Sequence, residues 1–326
     1  MHLTIHHDTL YRYGEAAHRV FQALRLWPIP GGGQVIRDWR VEIDGRKLRP
    51  TCRDGFGNPA ATHVIDGPVA ALSIVVHAEV DTQDRQGVLG DAIESLPPLF
   101  YLNSTDLTAI DPAIQELADA QSDASGGEIA QLHRLCDSVR ERIDYRSDST
   151  HVATSAAEAL AHGAGVCQDH AHVLIAAARA LGFPARYVSG YLCASAEGAA
   201  ASHAWAEIHV NQLGWVGFDA ANQICPDERY VRVAVGRDYR DAAPVRGVPT
   251  FGKLHVFHKP GERMIALMTA GNLAVSQAVV NLVQEGLPEP ESGDKETIYS
   301  VPTMFRAAAL VGEAVRHVHK VHGEAM

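Results

Sequence analysis

The sequence predicts an α+β protein in three parts. These are an N-terminal β-sandwich, a core of helices followed by antiparallel strands, and an appended partial αβ segment. Three observations predict it. Short alternating runs separated by Gly, Pro and Asp fill the first 85 residues. Apolar residues then recur at helical spacing from about residue 112 to 181. Alternation returns from Ala185 to about Val235, and the character shifts once more near Val245.

Each element can be justified in order. Leu3-Thr4-Ile5-His6 opens an alternating run, and Trp39-Arg40-Val41-Glu42-Ile43 alternates again before Asp44-Gly45, a hairpin signal. Asp66-Gly67-Pro68 reads as a turn before the strand Ser73–Val80. Together these suggest a small sandwich over residues 1–85. Leu96 to Leu102 is a connector. Asp111-Pro112 pairs an N-cap with Pro at the first helical position, opening a helix over about 112–121. A second covers about 127–143, with Ile129, Leu132, Leu135, Cys136 and Val139 on one face. Ser155-Ala156-Ala157-Glu158 is a capping box that starts a short third. A fourth begins near Cys167, runs through Val173 to Leu181 and closes at Gly182.

Composition limits the function classes. The 326 residues are 46% hydrophobic, enough for two modest domains each with its own core. Net charge is −11 and the basic residues are dispersed, which argues against nucleic-acid binding. No apolar run reaches membrane-spanning length; residues 265–283 come nearest and are broken by Gly271, Asn272, Gln277 and Asn281. The first residues carry no basic and apolar signal pattern, and five widely spaced cysteines read as reduced thiols, so a cytoplasmic location is expected.

Chemistry concentrates at Gly165-Val166-Cys167-Gln168-Asp169-His170. A thiol in the first turn of a helix lies at the positive end of the macrodipole, where its thiolate is favoured. Gly163 and Gly165 allow close backbone approach before the helix, and its first N–H groups could stabilise an oxyanion. Cys52, Cys136 and Cys193 read as structural, as does Cys225 in Ile224-Cys225-Pro226. In Ser202-His203-Ala204-Trp205-Ala206-Glu207-Ile208, alternation puts His203, Trp205 and Glu207 on one face. Asp219 ends the run Trp215-Val216-Gly217-Phe218. Either His203 or Asp219 alone could be a plain strand or turn residue. Cys167, His170 and His172 could instead suggest a metal site, but the set lacks a usual zinc partner pair and a helix turns His172 away from Cys167. No metal or cofactor is expected, and His170 and His172 read as packing groups.

At these residues the chain resembles the bacterial two-domain members of the transglutaminase-like cysteine peptidase superfamily. Leu10-Tyr11-Arg12-Tyr13 and Arg53-Asp54-Gly55-Phe56-Gly57-Asn58 resemble the family's N-terminal β-domain. Gly165 to Asp169, Ala185 to Tyr191, Ser202 to Glu207 and Gly214 to Asp219 resemble its papain-like core over residues 86–247, with Arg237 to Gly247 as the closing segment. The resemblance implies Cys167 as nucleophile, His203 as general base and Asp219 as the carboxylate orienting it. The implied activity is amide or peptide hydrolysis through a thioester, on a protein or peptide substrate. Transamidation shares the acyl-enzyme step, and a non-catalytic scaffold with the same fold is the rival from another class. One departure stands at Ala220-Ala221-Asn222, where the family commonly carries Pro and Thr before the Asn. No loop of clustered Asp and Asn suggests calcium.

Residues 248–326 look different. Thr250 to Phe257 and Ala270-Gly271-Asn272-Leu273-Ala274 resemble an internal stretch of bacterial proteasome-type peptidases, with Lys253 at the position resembling that family's active-site lysine. Without the N-terminal threonine nucleophile this segment is expected to be inactive, joined at a seam near Val248-Pro249. Its expected elements are strands at Lys253–Phe257 and Arg263–Met268, then helices at Asn272–Glu285 and Phe305–His319, around a polar loop from Pro288 to Lys295. Exposed sheet edges in such a fragment would allow association with a partner.

Overall fold

The computed structural model describes the chain except for residues 91–94, 124, 194–199, 249–253, 260–262, 269–272, 289–294 and 324–326. Contacts divide it into two compact units, Met1–Gly247 and Val248–Met326. In chain order the first unit begins with β1 (His2–Leu24), β2 (Gln34–Ile43), β3 (Arg46–Leu48), β4 (Cys52–Arg53) and β5 (Pro59–Thr82). Then come α1 (Pro112–Asp119), α2 (Gly127–Arg142), β6 (Asp144–Tyr145), α3 (Ala156–His162), β7 (Ala164–Gly165) and α4 (Cys167–Ala180). Strands β8 (Ala185–Cys193), β9 (Ala200–Val210), β10 (Gly214–Phe218) and β11 (Tyr230–Gly236) follow, then α5 (Tyr239–Ala242) and β12 (Val245–Val248).

The N-terminal region is one six-stranded sheet, ordered β12-β1-β5-β2-β3 with β4 beside β5, where the sequence suggests a two-sheet sandwich. Strand length makes the difference. Asp66-Gly67-Pro68, read as a turn, lies inside the 24-residue β5, opposite register slips between Arg12, Ala17 and Arg19 of β1. Such slips bend a strand without ending it. Pro68 is tolerated because β5 has β1 on one side there, and β2 pairs only with residues from Ile74 onward. The Asp44-Gly45 turn is as expected, with φ of 46° and 74° joining β2 to β3.

Along β5, Leu72, Ile74, Val76, Ala78 and Val80 are all buried on one face. The first three pack with Val20, Leu24, Val41 and Ile43. Ala78 and Val80 join Leu3 and Ile5 against Tyr191, Val231 and Val233 of the next sheet. That sheet is antiparallel, ordered β10-β9-β8-β11. Helix α4 lies across it, packing Val173 and Ala177 into the core formed with Ala204, Ala206 and Ile208 of β9. On the opposite face of β9, Glu207 takes Arg186 Nε at 2.7 Å and Arg232 Nε at 2.7 Å, with Glu207 and Arg186 each 1% exposed. The Arg186 guanidinium also lies 3.9 Å from the Trp215 ring. Burial alone would push the Glu207 carboxyl up, but the two guanidinium groups outweigh it and hold it below its usual range.

The helix starts follow the sequence signals. Asp111 Oδ1 accepts from Ile114 N at 2.8 Å, with Pro112 at the first helical position. Glu158 accepts from Ser155 N while Ser155 Oγ accepts from Glu158 N, closing the capping box. At the far end of α4, the buried Arg179 donates to the carbonyls of Tyr101, Ala185 and Arg237 and to Thr108 Oγ1, fixing four segments around one guanidinium. Among the described residues no helix is long and apolar enough to cross a membrane.

In the second unit β13 (Leu254–Lys259) pairs antiparallel with β14 (Arg263–Met268). Helix α6 (Leu273–Glu285), the short pair β15 (Leu287–Pro288) and β16 (Lys295–Glu296), and α7 (Met304–Gly323) follow. Phe257, Ile265, Val279, Val283, Leu310 and Ala314 belong to a core of its own. Lys253 and the Pro260-Gly261 turn lie outside the described residues.

Two amide side chains tie the N-terminal region to β11. Asn58 Nδ2 donates to Val235 O at 2.7 Å and Asn58 Oδ1 accepts from Val235 N at 2.9 Å. Gln34 makes the same pair of bonds with Arg232, donating to O at 2.8 Å and accepting from N at 2.9 Å. Arg232 and Val235 are three apart, an odd spacing that a regular strand would point in opposite directions. The register slip between Arg232 and Ala234 turns both outward. Asn58→Ala leaves both backbone groups of Val235 unpaired, and is expected to cost about 2 kcal/mol in chemical denaturation. A loss below about 0.5 kcal/mol would show that these bonds do not fasten the region.

Candidate active site

Cys167 is the first residue of α4, and the local sequence explains why the helix starts there. Asp169 Oδ2 accepts from Val166 N at 2.8 Å and from Thr150 Oγ1 at 2.6 Å, so the acidic residue turns back to cap the preceding chain. That return passes directly over Gly165. A Cβ there would stand 2.6 Å from Asp169 Cβ, so only glycine fits. The sequence reading asked for glycine at this point, and the Asp169 side chain is the reason. Gly163 ends α3 at φ 62°, the left-handed conformation of a helix C-cap. The thiol itself is part-exposed, while α4 is buried from Asp169 to Arg179.

Strands β9 and β10 bring the imidazole and carboxylate to this helix start. His203 Nε2 donates to Asp219 Oδ2 at 2.7 Å, with side-chain exposures of 8% and 1%. Cys167 and His203 border the same cavity, and the thiol acts electrostatically on the ring. All three sequence-predicted residues are therefore brought to one place, His203 bonded to Asp219 and sharing a cavity with Cys167. Asp219 receives four further hydrogen bonds. Tyr230 OH and Asn222 Nδ2 donate to Oδ2 at 2.7 Å each, and the N–H groups of Ala221 and Asn222 to Oδ1 at 3.0 and 3.3 Å. Asp219 and Ile224 bond each other's backbones, closing the Ala220-Ala221-Asn222 turn despite its departure from the family pattern.

Burial and bonding pull the charges in opposite directions. Burial works against a charged His203, but Asp219 and Cys167 overcome it and raise the ring to about 9. Burial likewise disfavours the Asp219 carboxylate, and His203, Asn222 and Tyr230 more than offset that, so the group lies below its usual range. At neutral pH the site holds an imidazolium beside an ionised carboxylate. Tyr230 and Asn222 were not singled out from sequence. Asn222 lies in the turn just after Asp219, but Tyr230 comes from another strand and carries no local signal. Trp205 stacks on His203 with ring centroids 6.3 Å apart and meets Tyr230 edge-on.

A cavity of about 340 Å³ opens at Cys167 and His203. Its opposite wall is the N-terminal sheet, through Tyr11 of β1 and Ile74 and Val76 of β5. The other thiols are differently placed. Burial raises Cys136 well above its usual range and Cys225 to about 11, while Cys52 is exposed in β4. His170 is packed between the carbonyls of Val166 and Ile143. His172, pushed down to about 3 by burial and by Arg179 and Arg240, accepts from Tyr239 N at 3.1 Å. Among the described residues no three His, Cys, Asp or Glu side chains are grouped to hold a metal.

Comparison with known proteins agrees with this architecture. The family described as the transglutaminase-like superfamily matches residues 115–220, a stretch that contains Cys167, His203 and Asp219. The bacterial transglutaminase-like N-terminal region matches residues 3–81. An uncharacterised protein of Mycobacterium tuberculosis is 31% identical over 271 residues, covering 74% of this chain and 85% of the relative. The chain belongs to the transglutaminase-like superfamily. Another uncharacterised relative, from Mycobacterium leprae, is 29% identical over 256 residues, covering 74% of this chain and 91% of its own. The crystal structure of a proposed cysteine protease from Cytophaga hutchinsonii aligns with a TM-score of 0.60 at 22% identity, over 83% of this chain and 92% of that one. This transglutaminase-like fold is thus shared over most of both chains. The matched family regions end at residue 220, and the comparisons lend no support to a proteasome-type origin for residues 248–326.

The coupling between ring and carboxylate has a measurable consequence. His203 is expected to titrate near pH 9 by NMR, and in Asp219→Asn the value falls by roughly one unit or more, because burial then acts against the charged ring with less opposition. An unchanged value would mean that Asp219 does not hold the ring's charge.

Proposed function

We propose that this protein is a cysteine-dependent amide or peptide hydrolase working through Cys167, His203 and Asp219. The observation that carries the reading is His203 bonded at Nε2 to a buried Asp219, with Cys167 and the same ring lining one cavity. The fold relative described as a proposed cysteine protease inclines the outcome to hydrolysis over transamidation.

In this mechanism the sulfur attacks the amide carbonyl carbon, and the C=O electron pair moves onto oxygen. The N–H groups of Cys167 and Gln168, ahead of the Asp169 and His170 N–H groups already bonded to Val166 O, would receive that oxyanion. As the C–N bond breaks, His203 gives its proton to the departing amine and a thioester remains on Cys167. Water attacks the thioester and passes a proton to His203. The C–S bond breaks with its electron pair returning to sulfur, the carboxylic acid leaves, and Cys167 and the protonated His203 are regenerated. Asp219 fixes the ring's orientation throughout and stabilises its charge.

Cys167→Ala is expected to abolish turnover, and His203→Ala to lower kcat/KM by on the order of 10³-fold. The alkaline limb of the kcat/KM profile should fall near pH 9, where His203 loses the proton destined for the leaving amine. Adding hydroxylamine to turnover assays partitions the thioester between acid and hydroxamate, which reads hydrolysis against amine transfer. If iodoacetamide labels Cys167 no faster than an ordinary thiol, and His203→Ala leaves that rate unchanged, the protein is a scaffold and the proposal fails.

A further inference from the structure

The cavity at Cys167 has a lining that the chemistry above does not require. Tyr11, Leu26, Ile74, Val76, Tyr239 and Val245 supply its apolar wall, with Ile74 and Val76 only 2% and 1% exposed. Among the described residues, no Asp, Glu, Lys or Arg side chain lines it. The polar groups opposite the thiol are already engaged with one another. His7 Nδ1 meets Tyr191 OH at 3.0 Å, and Thr9 Oγ1 meets His7 Nε2 at 3.1 Å. Burial lowers His7 from its ordinary range, so it stays neutral at pH 7.

An acyl group transferred to Cys167 stays covalently tethered to the sulfur, so its side chain must occupy space continuous with the thiol. A charge moved there from water would find only the His203 ring, already paired with Asp219, whereas an aromatic or large aliphatic group would exchange water for apolar contact. We propose that the N-terminal sheet, through β1 and β5, selects acyl donors with uncharged, bulky apolar side chains in this cavity. This rests on the hydrolase reading and deepens it by naming the substrate class.

The test uses the full chain and N-acetyl amino acid p-nitrophenyl esters of Phe, Leu, Glu and Lys. The sulfur bonds to the ester carbonyl carbon, and nitrophenolate leaves with the C–O electron pair. Its burst therefore reports acylation, with Cys167→Ala as the reference. Phe and Leu donors are expected to acylate at least about tenfold faster than Glu and Lys donors. Cys167-dependent acylation with equal rates for charged and apolar donors overturns the selectivity while leaving the hydrolase reading intact. Absence of Cys167-dependent acylation by every donor overturns both. Thr9→Lys, at a half-buried lining position, is expected to raise the Glu-to-Phe rate ratio by at least about tenfold, and an unmoved ratio counts against the sheet as the selecting wall.

Discussion

Helix α4 is enclosed by protein along nearly its whole length, and a helix in that position has to be apolar all round or satisfy every polar group it carries. Much of the surrounding structure answers that constraint. Asp169 turns back over Gly165 to hold Val166 N, His170 is wedged between two carbonyls, and Arg179 gathers four segments at the far end. Only the first turn reaches solvent, and the thiol sits there. The position of Cys167 is thus set by the burial of the eleven residues from Asp169 to Arg179, which holds the helix against shifting or fraying toward the site.

The same logic extends to the partners. Ala204, Ala206 and Ile208 of β9 pack under α4, which forces His203, Trp205 and Glu207 onto the other face. An ionised Asp219 at 1% exposure needs donors on both oxygens, and the turn after β10 together with Tyr230 provides them. Protonating the carboxylate would leave those donors without their matching charge. The charged pair is therefore part of what holds the turn in place.

How much of this could be read in advance depended on the range of the signal. Capping at Asp111-Pro112 and Ser155–Glu158, the hairpin at Asp44-Gly45 and the face assignment of β9 are local patterns, and the structure reproduces them. Cys167 and His203 were legible because a helix start and a clean alternation framed them, and Asp219 because it ended a strand. Tyr230 reaches Asp219 from β11 across eleven residues of chain, and no spacing rule marks such a contact. The two long strands escape local pattern rules for a related reason. Gly67 and Pro68 signal a turn in isolation, and only the pairing of β5 with β1 beyond them keeps the strand running. The role of the N-terminal sheet as a wall of the cavity has no sequence signature at all, since it arises where two separate regions close on each other within the first unit.

The amide pairs at Asn58 and Gln34 have a further consequence. Strand β11 ends its sheet in the observed order, and a strand in that position presents a row of unpaired backbone groups that can recruit another chain. Each amide engages the N–H and C=O of a single β11 residue, imitating the hydrogen bonding of a neighbouring strand for one position at a time. Two side chains thus close a rim that would otherwise need a whole strand to cover it. The four hydrogen bonds that attach the N-terminal sheet thus also occupy edge groups of β11, and loosening the sheet would uncover them.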